Sequence, residues 1–200
     1  MKWKIEKPSL KTERPCARSG HRIVYYNGQI FTFGGYNPTS ETQTFKELWK
    51  FNLITKTWQK MEISGDIPNT VASHTAKFCM FEGKPTMIVY GGTGLSFGEN
   101  NSNFANLCDL STGHWQVLGV GYEESKLVDR PVKLYGQAVC LVQNRYFYTI
   151  GGTTGHFYHM DVNRLDLMTK KWKLLKKGTN GNGMLENQPH EPVARYYFFP

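Results

Sequence analysis

The chain has 200 residues, enough for one domain with a real core, since a chain of this length buries roughly 70% of its unfolded surface on folding. Its 11 Tyr, 12 Phe, 5 Trp and 20 Gly, with no long run rich in Ala, Glu, Leu and Lys, exclude a helical protein and point to an all-β class. The net charge of +8 is scattered in short pairs such as Lys170-Lys171 and Lys176-Lys177 and does not alternate with aromatic residues, so nucleic acid is not an expected partner.

In chain order, residues 1–13, which open with MKWKIEK, read as the fourth strand of an incomplete unit, because Trp3 lies 55 residues before Trp58. The first full unit spans 14–66. Its strands are predicted over 21–26 and 29–33, joined by the two-residue turn Asn27-Gly28, then over 47–53 and 57–61, the last carrying Trp58. The second unit, 67–129, repeats this with strands over 75–81, 86–90, 105–110 and 114–118 and a turn at Glu82-Gly83. The third, 130–188, places strands over 137–142, 145–150, 162–167 and 171–175, with Gln143-Asn144 at the hairpin. At 189–200, Pro192-Val193-Ala194-Arg195 repeats Pro15-Cys16-Ala17-Arg18 and opens a further unit that stops short.

Two markers recur in every unit. NLITKTW, DLSTGHW and DLMTKKW place Trp58, Trp115 and Trp172 at intervals of 57 residues, and Gly34-Gly35, Gly91-Gly92 and Gly151-Gly152 each follow an aromatic-rich apolar run. A Trp buries about 150–250 Å², more than one four-stranded unit can cover alone, so the units must stack, and radial stacking gives a propeller. The indole is expected between neighbouring sheets. Paired glycines suit close backbone approach or positive φ where strands converge on the axis.

The segments FGGYN, YGGTG and IGGTTG, each followed by a spaced Trp, resemble kelch repeats, and the resemblance runs from about Arg14 to Arg195. It implies a kelch-type β-propeller of four-stranded antiparallel blades. The family closes its ring with about six blades, so three full units and two part-units suggest a partial or truncated propeller whose open sheet faces favour association. The resemblance further implies a substrate receptor of cullin-RING ubiquitin ligases. In such receptors the propeller captures the C-terminal tail of a client, typically ending in Gly, and a segment beyond it binds elongin B and C and through them the cullin. No elongin-binding helix is found in these residues. The alternative is a scaffold that binds actin or signalling proteins through broad propeller surfaces.

Ligands are expected on the loops between second and third strands and on the loops joining units. The candidate peptide-binding residues are Tyr36, Asn37, Thr93, Phe97, Thr153, Thr154 and Tyr158 after the glycine pairs, and Arg18, Ser19, Ser73, Tyr135, Gln137 and Arg195 ahead of the first strands. Arg18 and Arg195 have a guanidinium fork suited to a terminal carboxylate. Anchoring of the turn through backbone carbonyls is the competing role, as loop packing is for Tyr36, Phe97 and Tyr158. Glu47 and Asp166 read as solvated or ion-paired strand positions.

No catalytic motif is present, and an enzyme is not expected. Kelch-like copper oxidases would need ligands such as His21, His74, His114, His156, His159 and His190 gathered from several blades, but His21 and His74 hold equivalent repeat positions, which favours structural roles. No metal or cofactor is expected. Cys16, Cys79, Cys108 and Cys140 are far apart and expected to be reduced. With no apolar segment behind Met1 and no run of 18 apolar residues, neither secretion nor membrane spanning is supported, and the expected location is the cytoplasm, with the nucleus second.

Overall fold

A computed structural model describes residues 13–118 and 131–178, and within them every regular element is a strand. The first sheet runs β1 (Arg22–Tyr26), β2 (Gln29–Phe33), β3 (Leu48–Asn52) and β4 (Thr57–Met61), each strand antiparallel to the one before. The second contains β5 (Ser64–Gly65), β6 (Thr75–Phe81), β7 (Lys84–Tyr90), β8 (Ala105–Asp109) and β9 (His114–Val117), in the order β5-β9-β8-β7-β6. The third is β10 (Ala138–Val142), β11 (Tyr146–Ile150), β12 (Val162–Asp166) and β13 (Lys171–Lys176). Two antiparallel sheets of four strands and one whose four antiparallel strands gain the short β5 are the predicted all-β architecture of kelch blades. The strand expected at Trp3 and the opening of a further unit at 189–200 lie outside the described residues.

Two hairpins form as the sequence dictates. Asn27 and Gly28 both adopt positive φ (45° and 72°), as do Glu82 and Gly83 (49° and 76°), which is the turn whose twist matches paired strands. The third hairpin is one residue longer than predicted. Val142 pairs with Tyr146, so Arg145 joins Gln143 and Asn144 in the loop.

The second sheet has one strand more than its repeat pattern predicts. After β4 the chain crosses to the outer edge of the next sheet, where Ser64 and Gly65 pair in parallel with His114 and Trp115 of β9. A two-residue strand is too short to show any period.

Apolar side chains fill two layers. Between the first and second sheets lie Val24, Phe31, Phe33, Leu48, Met87, Val89, Cys108 and Trp115; between the second and third lie Ile88, Tyr90, Leu107, Phe147 and Leu165, with Trp172 against them. β7 is buried on both faces, Met87 and Val89 facing one neighbour and Ile88 and Tyr90 the other, which is why MIVY is an unbroken apolar run.

Of the three indoles expected between sheets, Trp115 and Trp172 occupy seams among the described residues and Trp58 does not. Trp115 is fully buried, with its ring centroid 4.4 Å from that of Phe33 in the first sheet, and Trp172 lies 5.0 Å from Tyr90 in the second. Trp58 is half-buried and packs on Phe51 of its own sheet at 5.0 Å. A hydrogen-bonded clamp ties the second seam at its rim: the Asn144 amide donates to the Met80 carbonyl at 2.6 Å and accepts from the Met80 N–H at 2.9 Å.

Candidate functional site

The glycine pairs bring the sheets together at one end. Gly34 has φ +75°, and a Cβ there would strike the Val71 carbonyl and approach the His74 ring to 2.8 Å, so only glycine admits the neighbouring segment. Beside it the Gly35 N–H donates to the Val71 carbonyl at 2.8 Å, and the Gly92 N–H repeats the bond to Leu134 at 3.1 Å. Closer to the first strands a second series links the units. The Ser73 N–H donates to Gly20 and the Gly136 N–H to Ser73, both at 2.9 Å, from left-handed conformations with φ of 55° and 68°.

Past each glycine pair the chain makes one further two-sided pairing, Ser19–Tyr36–Thr44, Ala72–Thr93–Asn101 and Tyr135–Thr153–Tyr158. These fix the loops on one end of the three sheets. There three expected residues meet: the Phe97 ring stands edge-on to Tyr36 at 5.0 Å and to Tyr135 at 6.0 Å. Tyr36 belongs to the loop of the first sheet, Phe97 to that of the second, and Tyr135 to the segment entering the third. Phe97 is 44% exposed, and Tyr36 and Tyr135 are half-buried, so the row presents an aromatic surface spanning three blades.

Other expected residues shape the loops from within. Asn37 donates to the Ala17 carbonyl at 2.9 Å and accepts from the Thr39 N–H and hydroxyl. The buried Thr93 hydroxyl accepts from the Gly98 N–H at 3.2 Å, and the buried Thr153 hydroxyl donates to Phe157 and accepts from the Gly155 N–H, both at 3.0 Å. Thr154 accepts from the N–H groups of His156 and Phe157. Ser19 is exposed, Ser73 is buried in the inter-unit series, and Tyr158 is half-buried at its pairing with Thr153.

Gln137 is buried beneath this face, its amide donating to Leu134 at 3.0 Å. His74 does the same work one unit earlier, with Nδ1 3.0 Å from the Val71 carbonyl. Burial, and after it the charge of Arg22, brings His74 down to about 3, so the ring is neutral at physiological pH.

Arg18, for which two roles were open, anchors the turn. Its side chain is 5% exposed; Nε donates to Cys16 at 3.0 Å, Nη1 to Gly34 at 3.2 Å and Nη2 to the Glu47 carboxylate at 2.8 Å, with the guanidinium 3.9 Å above the Phe45 ring. Burial pushes the Glu47 carboxyl up, but hydrogen bonds from Lys60, Trp49 and Arg18 outweigh it and hold it at about 2. Asp166 is likewise ion-paired, with Arg145 at 2.7 Å. Arg195 lies outside the described residues.

Sequence reasoning passed over Asn101, whose amide donates to Gly98 at 3.1 Å and to Thr154 at 2.8 Å and so ties the second loop to the third. It also passed over Leu95 and Phe157, exposed on the same loops at 48% and 51%. An apolar residue in a Gly-rich loop was the available signal. All four cysteines are unpaired, and no group of three His, Cys, Asp or Glu side chains gathers among the described residues.

Comparison with known proteins gives the same repeat. Residues 1–193 match the family model described as the KLHDC2/KLHL20/DRC7 Kelch-repeats domain. The chain is 37% identical over 198 residues to Kelch domain-containing protein 10 of Rattus norvegicus, covering 94% of this chain and 46% of that protein. It is 36% identical over 189 residues to the Homo sapiens protein of the same name, covering 90% and 40%. With Kelch domain-containing protein 3 of Bos taurus it shares 34% over 100 residues, 50% of this chain and 25% of the relative. The chain thus spans less than half the length of these relatives. Its glycine pairs and seam tryptophans are the family's repeating unit, and the chain belongs to the kelch-repeat family of protein-binding modules.

Proposed function

We propose that this chain is the client-recognition part of a cullin-RING ubiquitin ligase and captures the C-terminal tail of its client on the loop end of the sheets. The observation that carries the reading is the contiguous row Tyr36–Phe97–Tyr135, contributed by three successive units and open to solvent at Phe97. Exposed aromatic rings held by a rigid scaffold are what a binding surface needs, since they offer large contact area with little side-chain entropy to lose. Ser19, Thr154 and Tyr158 supply hydroxyls on these loops, and the cation expected for a terminal carboxylate is Arg195, which lies outside the described residues. Ser73, Thr93, Gln137 and Thr153 hold the loops in shape, and Arg18 and Asn37 fix the first of them. Elongin B and C and the cullin are reached through a segment outside these residues, in the cytoplasm.

The scaffold reading puts contacts elsewhere, at outer turns where Ile54 and Met168 are exposed at 87% and 73%. Titration with peptides ending in Gly and with their C-terminal amides separates the two. Tail capture predicts binding of the acid at least tenfold tighter than the amide, about 1.4 kcal/mol, and loss of that preference on Arg195→Ala. Equal affinity for acid and amide would sink it.

A further inference from the structure

The three loops beyond the glycine pairs are built alike. Each opens at Tyr36, Thr93 or Thr153 and closes at Thr44, Asn101 or Tyr158, the two ends forming an antiparallel bridge. The closing position, Thr44 in the first unit and Tyr158 in the third, carries in the second an asparagine whose side chain leaves its own loop: Nδ2 donates to the Gly98 carbonyl at 3.1 Å and to the Thr154 carbonyl of the next loop at 2.8 Å. Where these two loops meet they touch backbone to backbone. A Cβ on Gly98 would lie 3.1 Å from the Gly155 Cα and from the Thr154 carbonyl oxygen, and one on Gly155 would lie 2.8 Å from the Gly98 Cα, so the close approach needs glycine on both sides.

Phe97 is the chain neighbour of this junction. The Gly98 N–H, half of the Phe97–Gly98 peptide, donates to the buried Thr93 hydroxyl at 3.2 Å, and the Gly98 carbonyl accepts from Asn101, so the peptide groups on both sides of Gly98 are held. On the other side of the ring Ser96 adopts φ 60°, left-handed backbone that a non-glycine residue keeps only where its surroundings enforce it, and its carbonyl accepts from the Glu99 N–H at 3.0 Å. A ring with this much exposure draws little orientation from packing. Its direction, edge-on to Tyr36 and to Tyr135, follows from the backbone that carries it and from the bonds behind that backbone.

We infer that Asn101 is a positioning residue of the tail-binding surface: by clamping Gly98 against Thr154 and Gly155 it sets Phe97 between Tyr36 and Tyr135 before any client arrives. The consequence for binding rests on the tail-capture reading above; the positioning of Phe97 does not. With the clamp in place the aromatic row is preformed, and the client has no loop to order. Without it the second loop is free of the third, the ring must be ordered on binding, and affinity falls through Phe97.

Two measurements test this on the 200-residue chain. The first needs no ligand: nuclear Overhauser effects between the Phe97 ring and the rings of Tyr36 and Tyr135 should be present in the unaltered chain and lost in Asn101→Ala. They should also be lost in Gly155→Ala, which changes only the third loop and pries it from Gly98; circular dichroism checks that both variants fold, and either one alone carries the test. The second is titration with a peptide ending in Gly. Asn101→Ala should weaken binding about tenfold, the worth of one or two ordinary hydrogen bonds, and should have no further effect in a Phe97→Ala background. Ring contacts unchanged in both variants would overturn the positioning role, and an equal loss of affinity with and without Phe97 would overturn its route through that ring. Ring contacts that respond as expected in a chain that binds no Gly-ended peptide would uphold the positioning and overturn tail capture instead.

Discussion

The Trp115 indole belongs to the second sheet and packs 4.4 Å from the Phe33 ring of the first, so one side chain closes the layer between two units 57 residues out of phase with the next such contact. Trp115→Ala removes the filling of that seam and should destabilise by about 3–5 kcal/mol in urea unfolding. Trp58→Ala, at a half-buried ring, should cost about 1–2 kcal/mol. A double-mutant cycle between Phe33 and Trp115 should give a coupling of about 0.5–1.5 kcal/mol, and additive effects would contradict direct packing.

Gly34 and Gly28 share a left-handed conformation but not a neighbourhood. A Cβ on Gly28 meets nothing within 4 Å, so Gly28→Ala should cost only its backbone strain, about 1–2 kcal/mol. Gly34→Ala adds collision with Val71 and His74, and the loss should be roughly 2–5 kcal/mol. Thermal melts of the two variants compare them directly.

Acid should weaken the fold in two windows. His74 is held at about 3 against an ordinary 6.5, so the unfolded chain takes up a proton first; its contribution is complete above pH 6.5 and is lost progressively as pH falls toward 3. Glu47, held at about 2 against 4.5, acts with the same sign between those values. His74→Gln, which installs the residue found at the equivalent Gln137, should flatten the upper window of a stability-versus-pH curve, and Glu47→Gln the lower. Unchanged curves would remove these groups as the cause.

Arg18→Ala should lower stability by about 2–3 kcal/mol, less than the roughly 3–5 of a fully buried pair because Lys60 keeps Glu47 partnered at 2.7 Å. Tail affinity of the folded variant should be unchanged. A variant of full stability with lost binding would return Arg18 to the ligand.

Much of this fold was legible because the strands carry their own marks. The hairpin turns, the spaced tryptophan and the repeat place β2, β4 and β6 to the residue, and Trp115 and Trp172 mark the two seams. What stayed hidden depends on contacts distant in sequence. β5 exists only because β9 offers an edge, and Arg18 finds Glu47 across 29 residues. The longer third hairpin turns on one residue of register. At the candidate site the loops were readable from the glycine pairs, but the meeting of Tyr36, Phe97 and Tyr135 required the stacking of all three units.

The most direct test of the loop end as the binding surface compares Phe97→Ala with Ile54→Ala, two exposed apolar residues on different parts of the blades. Both variants should fold with stability near that of the parent. Calorimetric titration with a Gly-ended client peptide should show affinity reduced at least tenfold by Phe97→Ala and unchanged by Ile54→Ala. Binding that survives Phe97→Ala but is lost with Ile54→Ala would contradict the account.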